Sequence, residues 1–360
     1  RRPPRSTLFP YTTLFRSLSN AREQVASLIG SEASEIYWTS GATESNNMAL
    51  LGICRKILKN KKPVHMLTSQ VEHKAVLQVA EYLEDLGVEV TYLSPNSFGQ
   101  IELSDIEKNI KPHTVVMSFM FANNEVGSLN PIFEMGQLAK KHNILFHVDA
   151  AQATGKVSIN VKEMNIDLLS ISAHKLYGPK GSGALYVNAQ NDNLKLEPLF
   201  FGGSQEKGLR PGTQNVAGAV GLGKACELCE KELSRTDVNK SKMRDYMYEQ
   251  IIKVAPDTKL NGHACNRLPT HLSLTFYNVQ PFELTAGLMG IACSSTSACS
   301  SGQSNISYVL EAIGLSAQEA RNTLRFGLGR FTKMEEIDIL VSKVKTIYAN
   351  NASGNKDLKI

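Results

Sequence analysis

PIFEMGQLAKKHNILFHVDAAQ, residues 131–152, holds the pattern from which the rest of the chain can be read. Residues 131–142 have helical spacing. Residues 144–148 form a short, continuously apolar run that ends at Asp149. Such a run after a helix reads as a strand buried on both faces of a parallel sheet.

The same alternation extends in both directions. Upstream, residues 18–30 are helix-like, with Val25, Leu28 and Ile29 on one face and Gly30 as a stop. A strand is expected at 36–39, and Ser40-Gly41-Ala42-Thr43-Glu44 opens a helix to about 59. Strands follow at 64–68, 88–93 and 114–121, with a helix over 73–86 ended by Gly87. Downstream, strands fall at 167–172 and 183–187. The pattern predicts an α/β domain with a mostly parallel central sheet. Ligands of such sheets bind beyond the carboxyl ends of the strands, where Asn124, Asp149, Gln152, His174 and Lys175 fall.

A helical stretch over 214–254 leads to a smaller α+β domain, with strands at 271–277 and 323–328, a Ser-rich loop at 294–305 and a helix over 334–349. The expected division is 18–228 and 229–349, with 350–360 a flexible tail. There is no internal repeat.

Of the 360 residues, 42% are hydrophobic and 20% charged, which excludes a disordered composition and suggests two domains. No apolar run is long enough to span a bilayer, and Pro10 and polar residues break any apolar stretch at the head, so neither a membrane association nor a secretory signal is expected. The formal charge is +5. Arg1, Arg2, Arg5 and Arg16 stand in residues 1–17 without an acid, so the remainder carries +1 and the charge gives no reason to expect nucleic acid as a direct partner. The cysteines Cys54, Cys226, Cys229, Cys265, Cys293 and Cys299 form no disulfide framework, and a reducing, cytoplasmic setting is expected. Cys226 and Cys229 sit in a helical pattern without a second Cys or His pair, so no metal site is expected. Cys293, beside Ile291 and Ala292, reads as a buried small residue.

Residues 7–17, TLFPYTTLFRS, resemble the translation of a common short-read sequencing adapter. Residues 1–17 are therefore expected to be an assembly artefact and unstructured; the alternative is a natural flexible extension.

Chemistry concentrates in four motifs. In SAHKLYGPKG, residues 172–181, Lys175 follows a strand and precedes Gly and Pro turns. A buried neutral amine there is the nucleophile for a Schiff base, and Ser172 and His174 can bond a phosphate; an ordinary exposed lysine is the alternative. Asp149 can keep a pyridine nitrogen protonated, making the ring an electron sink, with Gln152 on its phenolic oxygen, or can simply cap a helix. Gly41, Ala42 and Thr43 at a helix start suit a phosphate, or cap the helix. His73 can stack on a planar ring, or serve as a surface cap.

Together, TSGATES (39–45), EHKAV (72–76), NNEVG (123–127), HVDAAQ (147–152) and SAHKLYGPKG (172–181) resemble the NifS/IscS-type cysteine desulfurases, class V aminotransferase-like enzymes of pyridoxal-phosphate fold type I. The likeness covers about residues 18–349. It implies pyridoxal 5'-phosphate as cofactor, a Schiff base on Lys175, Asp149 at the ring nitrogen, Gln152 at the phenolic oxygen and His73 stacked on the ring. It implies Ala42, Thr43, Ser172 and His174 around the phosphate, and Asn124 near the ring. Arg210-Pro-Gly-Thr213 resembles the segment whose Thr reaches the phosphate of the neighbouring subunit, implying a homodimer. Arg325 matches the arginine that holds the substrate carboxylate. Cys299, in SSTSACSSGQS (294–304), matches the persulfide-forming cysteine on a mobile loop; a plain surface thiol is the alternative. The implied reaction turns L-cysteine into L-alanine, with the sulfur passed to an iron–sulfur scaffold or another acceptor, a relay for tRNA modification included. A selenocysteine lyase, and a product inactive through its altered head, are the competing expectations.

Overall fold

The computed structural model describes residues 9–295 and 306–352. The chain divides into two units. The first takes the chain up to Leu93, Ile101–Phe121 and Asn130–Ser234. In order it forms α1 (Phe9–Ile29), β1 (Ile36–Thr39), α2 (Ala42–Leu58), β2 (His65–Ser69), α3 (Lys74–Asp85), β3 (Glu89–Leu93), α4 (Leu103–Asn109), β4 (Thr114–Met120), α5 (Ile132–His142), β5 (Leu145–Asp149), β6 (Leu168–Ser172) and β7 (Gly183–Val187). The seven strands make one sheet in the order β1-β7-β6-β5-β4-β2-β3. From β3 to β6 every pair is parallel, while β7 is antiparallel to both β6 and β1. The mostly parallel sheet expected from the sequence is present.

β2 and β6 are buried at every position, and β4 at all but Val115. Two buried histidines inside the sheet are paired on both ring nitrogens. His65 bonds Thr114 through Nδ1 (2.7 Å) and Thr91 through Nε2 (3.0 Å). His147 bonds Ser118 (2.8 Å) and Ser170 (3.0 Å), joining β4, β5 and β6. Burial pushes its imidazole down to about 3, so the ring is neutral.

α1 buries Leu18, Ala21, Val25 and Ile29, and Gly30 ends it with φ +70°. It begins at Phe9, so 9–17, expected to be unstructured, is helical. Leu14 and Phe15 are exposed. Those first turns are carried by propagation from the anchored segment, which is favourable once a helix is nucleated; residues 1–8 lie outside the description.

The second unit takes Ser94–Gln100, Ala122–Leu129 and the chain from Arg235 onward. The division falls within a long helix, α6 (Val216–Val254). After it come β8 (Lys259–Asn261), β9 (His271–Thr275), α7 (Pro281–Gly287), β10 (Ser294–Ser295), α8 (Tyr308–Ala312), α9 (Ala317–Arg321), β11 (Thr323–Gly327) and α10 (Met334–Ala352). The sheet, in the order β10-β11-β9-β8, is antiparallel throughout. Its core joins Leu272, Leu274 and Phe326 to Ile337, Leu340 and Val344 of α10. Residues 350–352, placed in the expected flexible tail, belong to α10. No described helix is long and apolar enough to cross a membrane.

Candidate active site

Two glycines bring α2 onto the end of the sheet. Gly183 pairs with Thr39 on one side and Ser172 on the other. A Cβ there would lie 2.5 Å from Gly41 Cα and from the Ile171 carbonyl oxygen. Gly41 itself has φ +153° and ψ 178°, a region that belongs essentially to glycine. The amino end of α2, with Ala42 and Thr43, therefore rests beside Ser172, and no side chain caps it. An uncapped helix start offers backbone N–H donors and a positive dipole end to an anion. Ser172 Oγ stands 2.9 Å from His174 Nδ1. Burial, and then the charges of Lys175 and Lys180, lower the imidazole's pKa, which marks this corner as electropositive.

Asp149 closes β5 and is 6% exposed. Its Oδ1 accepts the Ala151 N–H (2.9 Å), capping a turn where a helix cap was the alternative, and its Oδ2 accepts Asn46 Nδ2 of α2 (2.7 Å). Asn46 Oδ1 is buried with no hydrogen-bond partner among the described residues. Nearby Glu72 accepts from Ser69 Oγ (2.8 Å) and the Met120 N–H (2.9 Å). Burial pushes Glu72 up to about 8, and the charge of Asp149 adds to the rise. At neutral pH burial thus favours the protonated, neutral form of Glu72.

Lys175 stands in the single turn Ala173–Leu176, which is closed by Tyr177 at φ +66° and by the Gly178 N–H on Ala173 O (2.8 Å). The side chain is exposed and has no hydrogen bond or ion pair among the described residues. Gln152 Oε1 accepts from Lys156 Nζ at 3.1 Å. His73 is exposed and caps α3, its Nδ1 accepting the Ala75 N–H at 3.1 Å, so the surface-cap alternative is realised and the bond orients the ring. Thr43 and Thr213 are exposed. Upstream of Thr213, Arg210 Nε donates to Glu44 Oε1 in the first turn of α2 at 2.7 Å.

Asn124 and Arg325 belong to the second unit. There Arg325 Nη1 donates to the Asn124 carbonyl at 2.9 Å, while Arg325 Nε and Asn124 Oδ1 are buried without partners among the described residues. Cys299 lies outside the described residues. Cys293 is half-buried, more open than expected, and burial raises its thiol pKa; Cys226 and Cys229 are buried within α6. Sequence reasoning passed over Asn46, Glu72 as a neutral acid, and Lys156. Only Lys156 left a trace, the four-residue spacing from Gln152 that places side chains on one side of a turn.

The arrangement provides an anion cradle, a buried carboxylate and an unpaired amine along one sheet edge. These match the phosphate, the ring nitrogen and the aldehyde of pyridoxal phosphate, the cofactor of class V aminotransferases and cysteine desulfurases. The family Aminotransferase class-V matches residues 10–340, and the chain belongs to that family. Within it the chain is of the NifS/IscS type. It is 45% identical over 327 residues to a cysteine desulfurase of Rattus norvegicus, covering 91% of this chain and 72% of the relative. A mitosomal cysteine desulfurase of Encephalitozoon cuniculi is also 45% identical, over 91% of this chain and 75% of its own length. The cysteine desulfurase IscS of Dictyoglomus turgidum is 42% identical over 92% and 85%. Among solved structures, a NifS-like protein superposes with a TM-score of 0.85 at 34% identity, covering 94% of this chain and 89% of the other. SspA in complex with cysteine does so with 0.78 at 38% identity, covering 90% and 89%.

Proposed function

We propose that the chain is a pyridoxal-phosphate-dependent cysteine desulfurase, which converts L-cysteine to L-alanine and hands on the sulfur as a persulfide of Cys299. The reading rests on one observation above all. The Lys175 amine, unpaired among the described residues, stands on the same sheet edge as the uncapped start of α2 and the Asp149 carboxylate.

When bound, pyridoxal phosphate supplies an electrophilic carbon for amines and a ring that accepts electrons from the substrate Cα. Ala42 and Thr43 in the first turn of α2, with Ser172 and His174, hold its phosphate. Asp149, fixed by Asn46 and the Ala151 N–H, holds the proton on the ring nitrogen. Gln152 donates to the phenolic oxygen, and His73 covers the ring. Lys175 anchors the group and moves the proton of the substrate Cα. As the family resemblance implies, Asn124 would lie near the ring and the Arg325 fork, its Nε unpartnered among the described residues, would take the carboxylate of cysteine. The Cys299 thiolate forms an S–S bond to the substrate sulfur as the Cβ–S bond breaks. The carbon keeps the electron pair and is protonated, giving alanine, so no outside oxidant is consumed.

A homodimer completes the reading, with Thr213 reaching the phosphate held by a second copy. The acceptor is an iron–sulfur scaffold or another sulfur-accepting protein, which the IscS names of relatives support. The chemistry asks for a reducing compartment. The cytoplasm meets that need, as does the organelle for which the Encephalitozoon relative is named. Alanine and protein-bound persulfide, measured after adding cysteine, test the proposal. Cys299→Ala should keep the cofactor's visible band and lose sulfur transfer; normal transfer by this variant would refute the assignment.

A further inference from the structure

Lys156 is a desolvated amine with an unusual environment. It sits four residues after Gln152 on the turn that follows β5, and its Nζ lies 3.1 Å from Gln152 Oε1. Among the described residues no carboxylate comes within ion-pair distance of it. The charged or titratable groups that weigh on it are Lys175 and the Cys229 thiol, and burial is the larger influence, taking the amine down to about 8. A cation left without an acid in such a place is costly unless it serves something.

An ammonium has three donors and no acceptor, so the atom of Gln152 that faces it must be the carbonyl oxygen. That fixes the amide: Nε2, with its two N–H donors, has to point the other way. We infer that Lys156 is a positioning residue, which locks the Gln152 amide so that its N–H groups face the phenolic oxygen of the bound cofactor. The inference rests on the pyridoxal-phosphate reading and adds to it a residue that none of the four motifs contains.

The sign of the effect follows. A donated N–H and a nearby positive charge both disfavour uptake of a further proton at the ring oxygen and the atoms joined to it. Loss of Lys156 should therefore raise the pH midpoint at which the cofactor's visible band changes. The test uses the full chain loaded with pyridoxal phosphate and follows that band from acid to alkali. Lys156→Met should raise the midpoint by about half a pH unit or more, and Lys156→Arg, which keeps both charge and donor, should restore it. In a Gln152→Ala background, the added Lys156→Met change should shift the midpoint by less than half as much, because two groups acting in series are not additive. The thermal midpoint of Lys156→Met should not fall, since a desolvated cation has been removed. An unchanged midpoint in Lys156→Met overturns the inference. An equal shift with and without Gln152 also overturns it, because the charge would then act alone. A wild-type chain that gains no visible band overturns the cofactor reading itself, a result distinguishable from both.

Discussion

His147 and Asp149 stand two residues apart on β5, and their surroundings differ in kind. His147 lies inside the sheet with both ring nitrogens bonded, to Ser118 and Ser170. Asp149 lies at the strand's end, bonded by Asn46 and Ala151, at the sheet edge that also carries a helix start without a side-chain cap and a lysine without a hydrogen bond or ion pair among the described residues. Within the sheet the His147 ring is spent on holding three strands together. At its carboxyl edge, polar groups are positioned and left available. The difference separates residues that make the fold from residues that wait for a ligand.

Substitution on either side of that line should give opposite results. At the edge, Lys175→Ala should cut alanine formation from cysteine by about a thousandfold or more. Its melting temperature without cofactor should be unchanged, because the side chain makes no bond among the described residues. A matching loss of stability would make Lys175 a residue of the fold. Inside the sheet, His147→Ala strands two buried hydroxyls and leaves a cavity. It should cost about 2–4 kcal/mol in urea unfolding, with turnover per folded molecule preserved.

Glu72 sharpens the comparison with a smaller effect. Its carboxyl titrates at about 8 in the fold and near 4.3 when unfolded. A raised acid contributes stability below its unfolded pKa and loses it as pH climbs to the folded value. Wild-type stability should therefore decline between about pH 5 and pH 8. Glu72→Gln should lack that part of the slope, which urea midpoints at the two pH values will show; parallel slopes would place the Glu72 carboxyl in water.

Much of this was legible in the residues. The apolar runs ending at Asp149 and Ser172 announced buried parallel strands and the edge where they stop. The glycines in 40–44 and 178–181 marked backbone that had to turn or come close. Partnerships between distant elements were not legible. Nothing in the sequence ties Asn46 to Asp149 across 103 positions, because such a bond depends on where α2 lands on the sheet. The short α4 was also passed over, since it buries only Ile106 and so shows no period to read. The head misled in the other direction: foreign-looking residues at 9–17 still adopt the helix that the following residues anchor.

The most direct measurement is to load the chain with pyridoxal phosphate, reduce it with borohydride and map the labelled peptide. The account predicts a single pyridoxyl group on Lys175. A label on Lys156, Lys180 or any other lysine, with Lys175 unmodified, would contradict it.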